Sequence, residues 1–74
     1  MDKTLTFPER LKRIYKKARD ACSAGNRREY EHYMHVILGI VVALDYTISI
    51  DGIWRNDVLY EYRQIEMYWM VCNE

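Results

Sequence analysis

The side chains with the most chemical capacity in this chain are Cys22, His32, His35 and Cys72, set among scattered carboxylates. Glu29-x-x-His32 has the spacing that puts a carboxylate and an imidazole on one helix face, as in carboxylate-bridged di-iron helices. Such a centre requires the motif on two helices together with further carboxylates, and the last third of the chain offers Glu61 and Glu66 without a histidine. Zinc takes three or four ligands; His32, His35 and a distant cysteine make only an improvised set. The two histidines are therefore expected to be exposed near a helix start, with no metal and no cofactor. A reactive cysteine needs a base and a third, orienting group beside it. Cys22 and Cys72 both fall on apolar helical stripes, where free thiols are commonly buried and inert. Gly25, Gly39 and Gly52 are too scattered for a phosphate-cradling loop, and there is no nucleophile elbow. The chain is expected not to be an enzyme.

The elements that carry these residues read as three helices. Pro8 suits a first turn, where a missing N–H costs nothing, and Leu11, Ile14, Tyr15, Ala18, Ala21 and Cys22 follow as one apolar stripe. Gly25 can take the left-handed conformation of a C-terminal cap. Asn26 can then cap a second helix, with Glu29 completing a box-like arrangement. Such a short connection forces the two helices antiparallel. Tyr30, Tyr33, Met34, Ile37, Val41, Leu44 and Ile48 form the main stripe of the second helix, and Val36, Ile40 and Ala43 form another. After Asp45 the alternation Tyr46-Thr47-Ile48-Ser49-Ile50 and the turn pair Asp51-Gly52 allow a short strand but favour a fraying helix end and a loop, since a lone strand has nothing to pair with unless two molecules associate. Asn56 or Asp57 is expected to cap a third helix with the stripe Val58/Leu59, Tyr62, Ile65, Trp69 and Cys72. The fold class is all-α: a small antiparallel three-helix bundle, one domain over 1–74.

Composition sets the remaining limits. Below roughly 70–80 residues a single core contributes only a few kcal/mol, and small scaffolds often add disulfides, metal or oligomerisation. Two cysteines without a CxxC pair do not make a disulfide scaffold. The opening MDKTLTFPERLKR lacks the apolar stretch of a signal peptide. The apolar run from Val36 to Leu44 is nine residues, short of the about 20 that a membrane span needs. The expectation is a cytoplasmic chain with reduced thiols and no membrane contact.

The zero formal charge hides an asymmetry. Residues 1–28 hold nine of the eleven Lys and Arg against three acids, a net +6; residues 29–74 hold two against eight, a net −6. Such blocks can steer partners or hold the first helix to the rest of the fold or to a second copy. Nucleic acid is not the expected partner, because the aromatics sit in the acidic part and do not interleave with the basic face as single-strand binders require.

A second helix apolar on every side must be covered on every side, and two neighbours leave part of it open. Either long Lys and Tyr side chains cover the remainder, or a partner does; Gly39 in mid-helix is consistent with close approach of another backbone. Tyr, Trp and Met anchor interfaces. The expected partner surface is Val36, Ile40 and Ala43 with Tyr60, Met67 and Met70, and Trp54 at its rim. Self-association through Val36 and Ile40 as a two-fold dimer is the simplest cover without a partner. Charge introduced at Val36 or Ile40 should then be tolerated by the fold, and charge at Ile37 or Val41 should not.

The segment ERLKRIYKKARDACSAGNRREYEHYMHVILGIVVALDY, followed by IWRNDVLYEYRQIEMYWMVCNE, resembles the flagellin-specific export chaperone family. The echoes are KKARDACSAGN before a one-turn break, the apolar helix closing on ALDY, and RNDVLYEYRQIEMYW. That family's Tyr-Asp-Gly signature and its outer helices have no counterpart in the quoted segments. The resemblance implies an antiparallel helical bundle that holds an amphipathic helix of a secreted or flagellar substrate until export. A different class of function fits the same features: a small phage- or plasmid-encoded inhibitor that binds and blocks a host protein.

Overall fold

The computed structural model describes residues 5–74, so the reading of the first residues as lacking a leader falls partly on 1–4, outside the described residues. Three helices, α1 (Phe7–Ala24), α2 (Arg27–Leu44) and α3 (Arg55–Asn73), run up, down and up, and each touches both others. The antiparallel three-helix bundle predicted from the stripes is the observed fold.

Local chemistry explains where each helix starts and stops. The Thr6 N–H donates to Glu9 Oε1 at 2.9 Å and the Glu9 N–H donates to Thr6 Oγ1 at 3.3 Å, a reciprocal cap around Pro8. This Thr-x-x-Glu signature marks the helix start together with Pro8. At the other end Gly25 adopts φ +67°, and the Gly25 and Asn26 N–H groups return to the Cys22 and Ala21 carbonyls at 3.2 and 2.9 Å. These two bonds define a Schellman turn. Asn26 Oδ1 then accepts from the Glu29 N–H at 3.2 Å, the first half of the expected box.

The α2–α3 connection is the expected loop, with one isolated bridge inside it. Within it Ile50 pairs with Ile53 across Asp51-Gly52, exchanging N–H···O bonds of 3.1 and 2.9 Å. Asp51 at φ +50° and Gly52 at φ +80° make the two-residue turn that matches strand twist. Both isoleucines pack against the core, so the turn closes the end of the bundle. The cap of α3 is corrected. Trp54 precedes the first turn, and Asn56 and Asp57 lie inside it, where Asp57 Oδ2 accepts from the Trp54 N–H at 3.3 Å. Trp54 has no side-chain acceptor, so the carboxylate caps the helix from within.

The core draws Leu11, Ala18, Ala21 and Cys22 from α1, Met34, Ile37, Val41 and Leu44 from α2, and Val58, Ile65 and Trp69 from α3. Tyr30 stacks on Trp69 with ring centroids 4.5 Å apart. Cys72, placed on the core stripe by its spacing, is exposed instead; its neighbour Asn73, not Cys72, is the residue of the last turn that reaches α1. The Cα envelope measures 35 × 34 × 15 Å. With helices 8–10 Å apart, its thin dimension holds two helix layers.

The mid-helix Gly39 has no close neighbour: a Cβ built there would meet nothing within 4 Å, whereas one at Gly25 would stand 3.1 Å from Asn73 Oδ1. Opposite outcomes are therefore expected from one kind of change. Gly39→Ala should stabilise by about 1 kcal/mol through helix propensity. Gly25→Ala should destabilise by roughly 1–2 kcal/mol, from the left-handed backbone alone. Thermal unfolding followed by circular dichroism reads both; a lower melting temperature for Gly39→Ala would show that the open space is not open.

Candidate partner-binding surface

The residues expected to form one surface lie on separate faces. Asp45 reaches α3 through Arg55, with Asp45 Oδ1 and Arg55 Nε 3.3 Å apart. At about 100° per residue, Val36 stands on the opposite side of α2, and Ile40 and Ala43 turn well away from α3 with it. Ile40 is half-buried against the core, while Val36 and Ala43 are exposed. The open strip of α2 is thus narrower than its composition predicts, and Ile40 belongs partly to the core.

On α3 the flanks are fixed by contacts. Glu61 accepts from Arg19 at 2.8 Å, and the Tyr68 and Ser23 hydroxyls lie 2.9 Å apart, so the Glu61 and Tyr68 flank faces α1. Trp69 and Arg55 mark the flank that faces α2. Tyr60, Gln64, Met67 and Val71, spaced 4, 3 and 4, form the row beside the α1 flank. Tyr60, Met67 and Val71 are 61, 58 and 81% exposed. Met70 is also exposed but lies toward the α2 side. Trp54, half-exposed, borders a separate hollow with Leu44, Ile48 and Arg55. The structure brings Tyr60 and Met67 together and leaves Val36, Ile40, Ala43 and Trp54 elsewhere.

Tyr60 also lines a groove of about 290 Å³ between α1 and α3, with Pro8, Leu11, Lys12, Tyr15, Ile53 and Asp57 around it. The groove continues along α1 past Lys16 and Arg19. The apolar stripe of α1 does not reveal this face, because it contains Tyr15 and leaves out the neighbouring Lys12. The 4-3-4 spacing of Tyr60, Gln64, Met67 and Val71 is the signal that could have found it.

The chemical groups weighed at the outset do not converge. His32 and His35 are exposed, and the His32 ring stands edge-on to Tyr33. Among the described residues no group of three or more His, Cys, Asp or Glu side chains comes together. Burial, with Cys72 nearby, pushes the Cys22 thiol above its ordinary range, which lowers its thiolate fraction. No helix of the described residues is long and apolar enough to cross a membrane. Comparison with protein-family models, curated proteins and solved structures finds no match. The likeness to flagellin-specific export chaperones therefore rests on the sequence pattern alone.

Burial first, then the carboxylates of Glu61 and Asp57, pushes the Tyr15 phenol from 10.0 up to about 12. Burial also holds Tyr30 at about 12, aided by Glu66. Both groups keep their protons in the fold at a pH where the unfolded chain has lost them, so they stabilise below pH 10 and that contribution is lost between about 10 and 12. Alkaline unfolding is expected in that window, together with a late rise in tyrosinate absorbance. Tyr15→Phe should flatten the pH dependence of stability there. An unchanged slope in that variant would remove Tyr15 as a cause.

Proposed function

We propose that this protein is a non-enzymatic binding module that holds an amphipathic helix of another protein against the exposed face of α3. The observation that carries the reading is the row Tyr60, Met67 and Val71, more than half exposed beside a core that closes without it. Tyrosine and methionine combine apolar area with adaptable packing, and a helix laid in an apolar groove is a recurring recognition mode. The resemblance to flagellin-specific export chaperones supports a secreted or flagellar substrate as the source of that helix, with the complex formed before export in the cytoplasm. Charge lines the groove on both walls, Lys12 and Lys16 on α1 and Asp57 and Glu61 on α3. An incoming helix would thus be oriented by its flanks as well as held by its apolar stripe.

Co-expression with flagellin should yield a soluble complex, and a peptide of flagellin's C-terminal helical segment should bind in titration. Tyr60→Ala and Met67→Ala should each weaken binding by about tenfold or more, the effect of losing an interface anchor worth 1.4 kcal/mol or above. Circular dichroism should show both variants folded, since neither side chain belongs to the core. Failure of flagellin and its helical peptide to bind the wild-type protein would exclude the export-substrate reading.

A further inference from the structure

We propose that the α1/α3 face is also a self-complementary interface, on which a second copy of this chain docks about a two-fold axis running along the helices. Three features of the structure select that occupant. The body is only 15 Å thick in its short dimension, so its single core lies between two helix layers, and chains of this size commonly gain stability by oligomerising. Tyr60, Met67 and Val71 are left outside that core on one face. The third feature is charge. The α1 wall carries Lys12, Lys16 and Arg19 against Asp20, a net +2, and the α3 wall carries Asp57 and Glu61, a net −2; Lys16–Asp20 and Arg19–Glu61 pair within one chain, and the groove residues show the two walls level with each other.

A two-fold axis can lay this face on itself in two limiting ways. With the axis across the helices, α1 lies antiparallel on α1 and α3 on α3 of the other copy, so a net-basic wall meets itself and Asp57 and Glu61 meet their own counterparts. With the axis along the helices, α1 lies on α3 of the other copy at the same height. Lys12 and Lys16 then face Asp57 and Glu61 twice over, once on each side of the axis. Like charges placed directly opposite disfavour the first arrangement, and complementary walls favour the second. Because α1 and α3 run parallel within one chain, the favoured dimer is a parallel layer of four helices with Tyr60 and Met67 inside it. The interface is isologous and closed. This inference does not rest on helix capture from another protein; the two occupants compete for one face, and each is tested without the other.

Sedimentation equilibrium of the isolated wild-type chain should give twice the 9.0 kDa of one chain, shifting toward the monomer as salt rises. The chain with Lys12→Glu and Lys16→Glu should be monomeric, and so should the chain with Glu61→Lys and Gln64→Lys. Mixed in equal amounts the two should form a heterodimer, because each then meets an opposite wall on both sides of the axis. Tyr60→Glu, at a position 61% exposed, gives an independent monomeric variant if the reversed chains lose their helical signal. A wild-type monomer at high concentration would overturn the proposal, whether or not it binds a helical peptide. So would a dimer indifferent to charge reversal, or reversed chains that fail to pair with each other while remaining folded.

Discussion

The close approach of α1 and α3 at one end of the bundle is the constraint on which the rest depends. Ala18 and Cys22 are wholly buried between them, and side chains this small set helix axes toward the near end of the usual separation. Asn73 closes the contact: its Nδ2 donates to the Cys22 carbonyl at 2.9 Å and to the Trp69 carbonyl at 3.2 Å. One amide thereby ties the last turn of α3 to the last turn of α1. Gly25 serves this contact twice, by turning the chain at φ +67° and by leaving room for Asn73 beside it. With those two ends joined, α1 and α3 must run parallel, and α2 must return between them.

The other end of the molecule then has a topological task. The chain must leave Leu44 at the bottom of α2 and re-enter beside the start of α1. Ten residues, 45–54, accomplish this, and the two-residue turn at Asp51-Gly52 keeps them ordered. Ile50 and Ile53 enter the core from the turn, alongside Phe7 from the first turn of α1. The pair Asp45 and Arg55 links the end of α2 to the beginning of α3. Trp54 sits at the hinge of this return with its indole half-exposed, which accounts for a large aromatic in a connection without giving it a place in the groove.

Much of this was legible in the sequence, and for identifiable reasons. Helix count and order followed from stripes at three- and four-residue steps, and the break at Gly25-Asn26 followed from backbone chemistry that few residues other than glycine satisfy. The Ile50–Ile53 bridge inside the predicted loop is not read from alternation, which marks strands that pair with other segments and not a single bridged turn. Cys72 and Ile40 show the limit of periodicity. Spacing gives the angular position of a side chain on its helix but not which side chains a neighbour covers. The candidate surface suffered most from this limit. Val36 and Met67 both look unpartnered along their own helices, yet the faces of α2 and α3 that a bundle leaves open point in different directions. Only the cross-helix contacts of Asp45, Glu61 and Tyr68 reveal which residues share a side.

Charge is where sequence and fold stand furthest apart. The two blocks of opposite sign could have been the adhesive of the bundle, but Arg19–Glu61 is the one ion pair joining α1 to another helix among the described residues. Both its side chains are about a third or more exposed, and pairs of that kind contribute at most about 1 kcal/mol. Lys16–Asp20 and Arg27–Glu31 lie within single helices. The core of apolar side chains, the Asn73 clamp and the helix caps therefore hold the fold, and the segregation of charge is largely left over. Parallel packing of α1 and α3 converts that remainder into a pattern. A net-basic wall on α1 and an acidic wall on α3 lie level with each other, with the apolar row beside the acidic one. Such a pattern adds little to stability within one chain. It discriminates among orientations of whatever lies across it, since one orientation opposes walls of unlike net charge and its reverse opposes walls of like net charge.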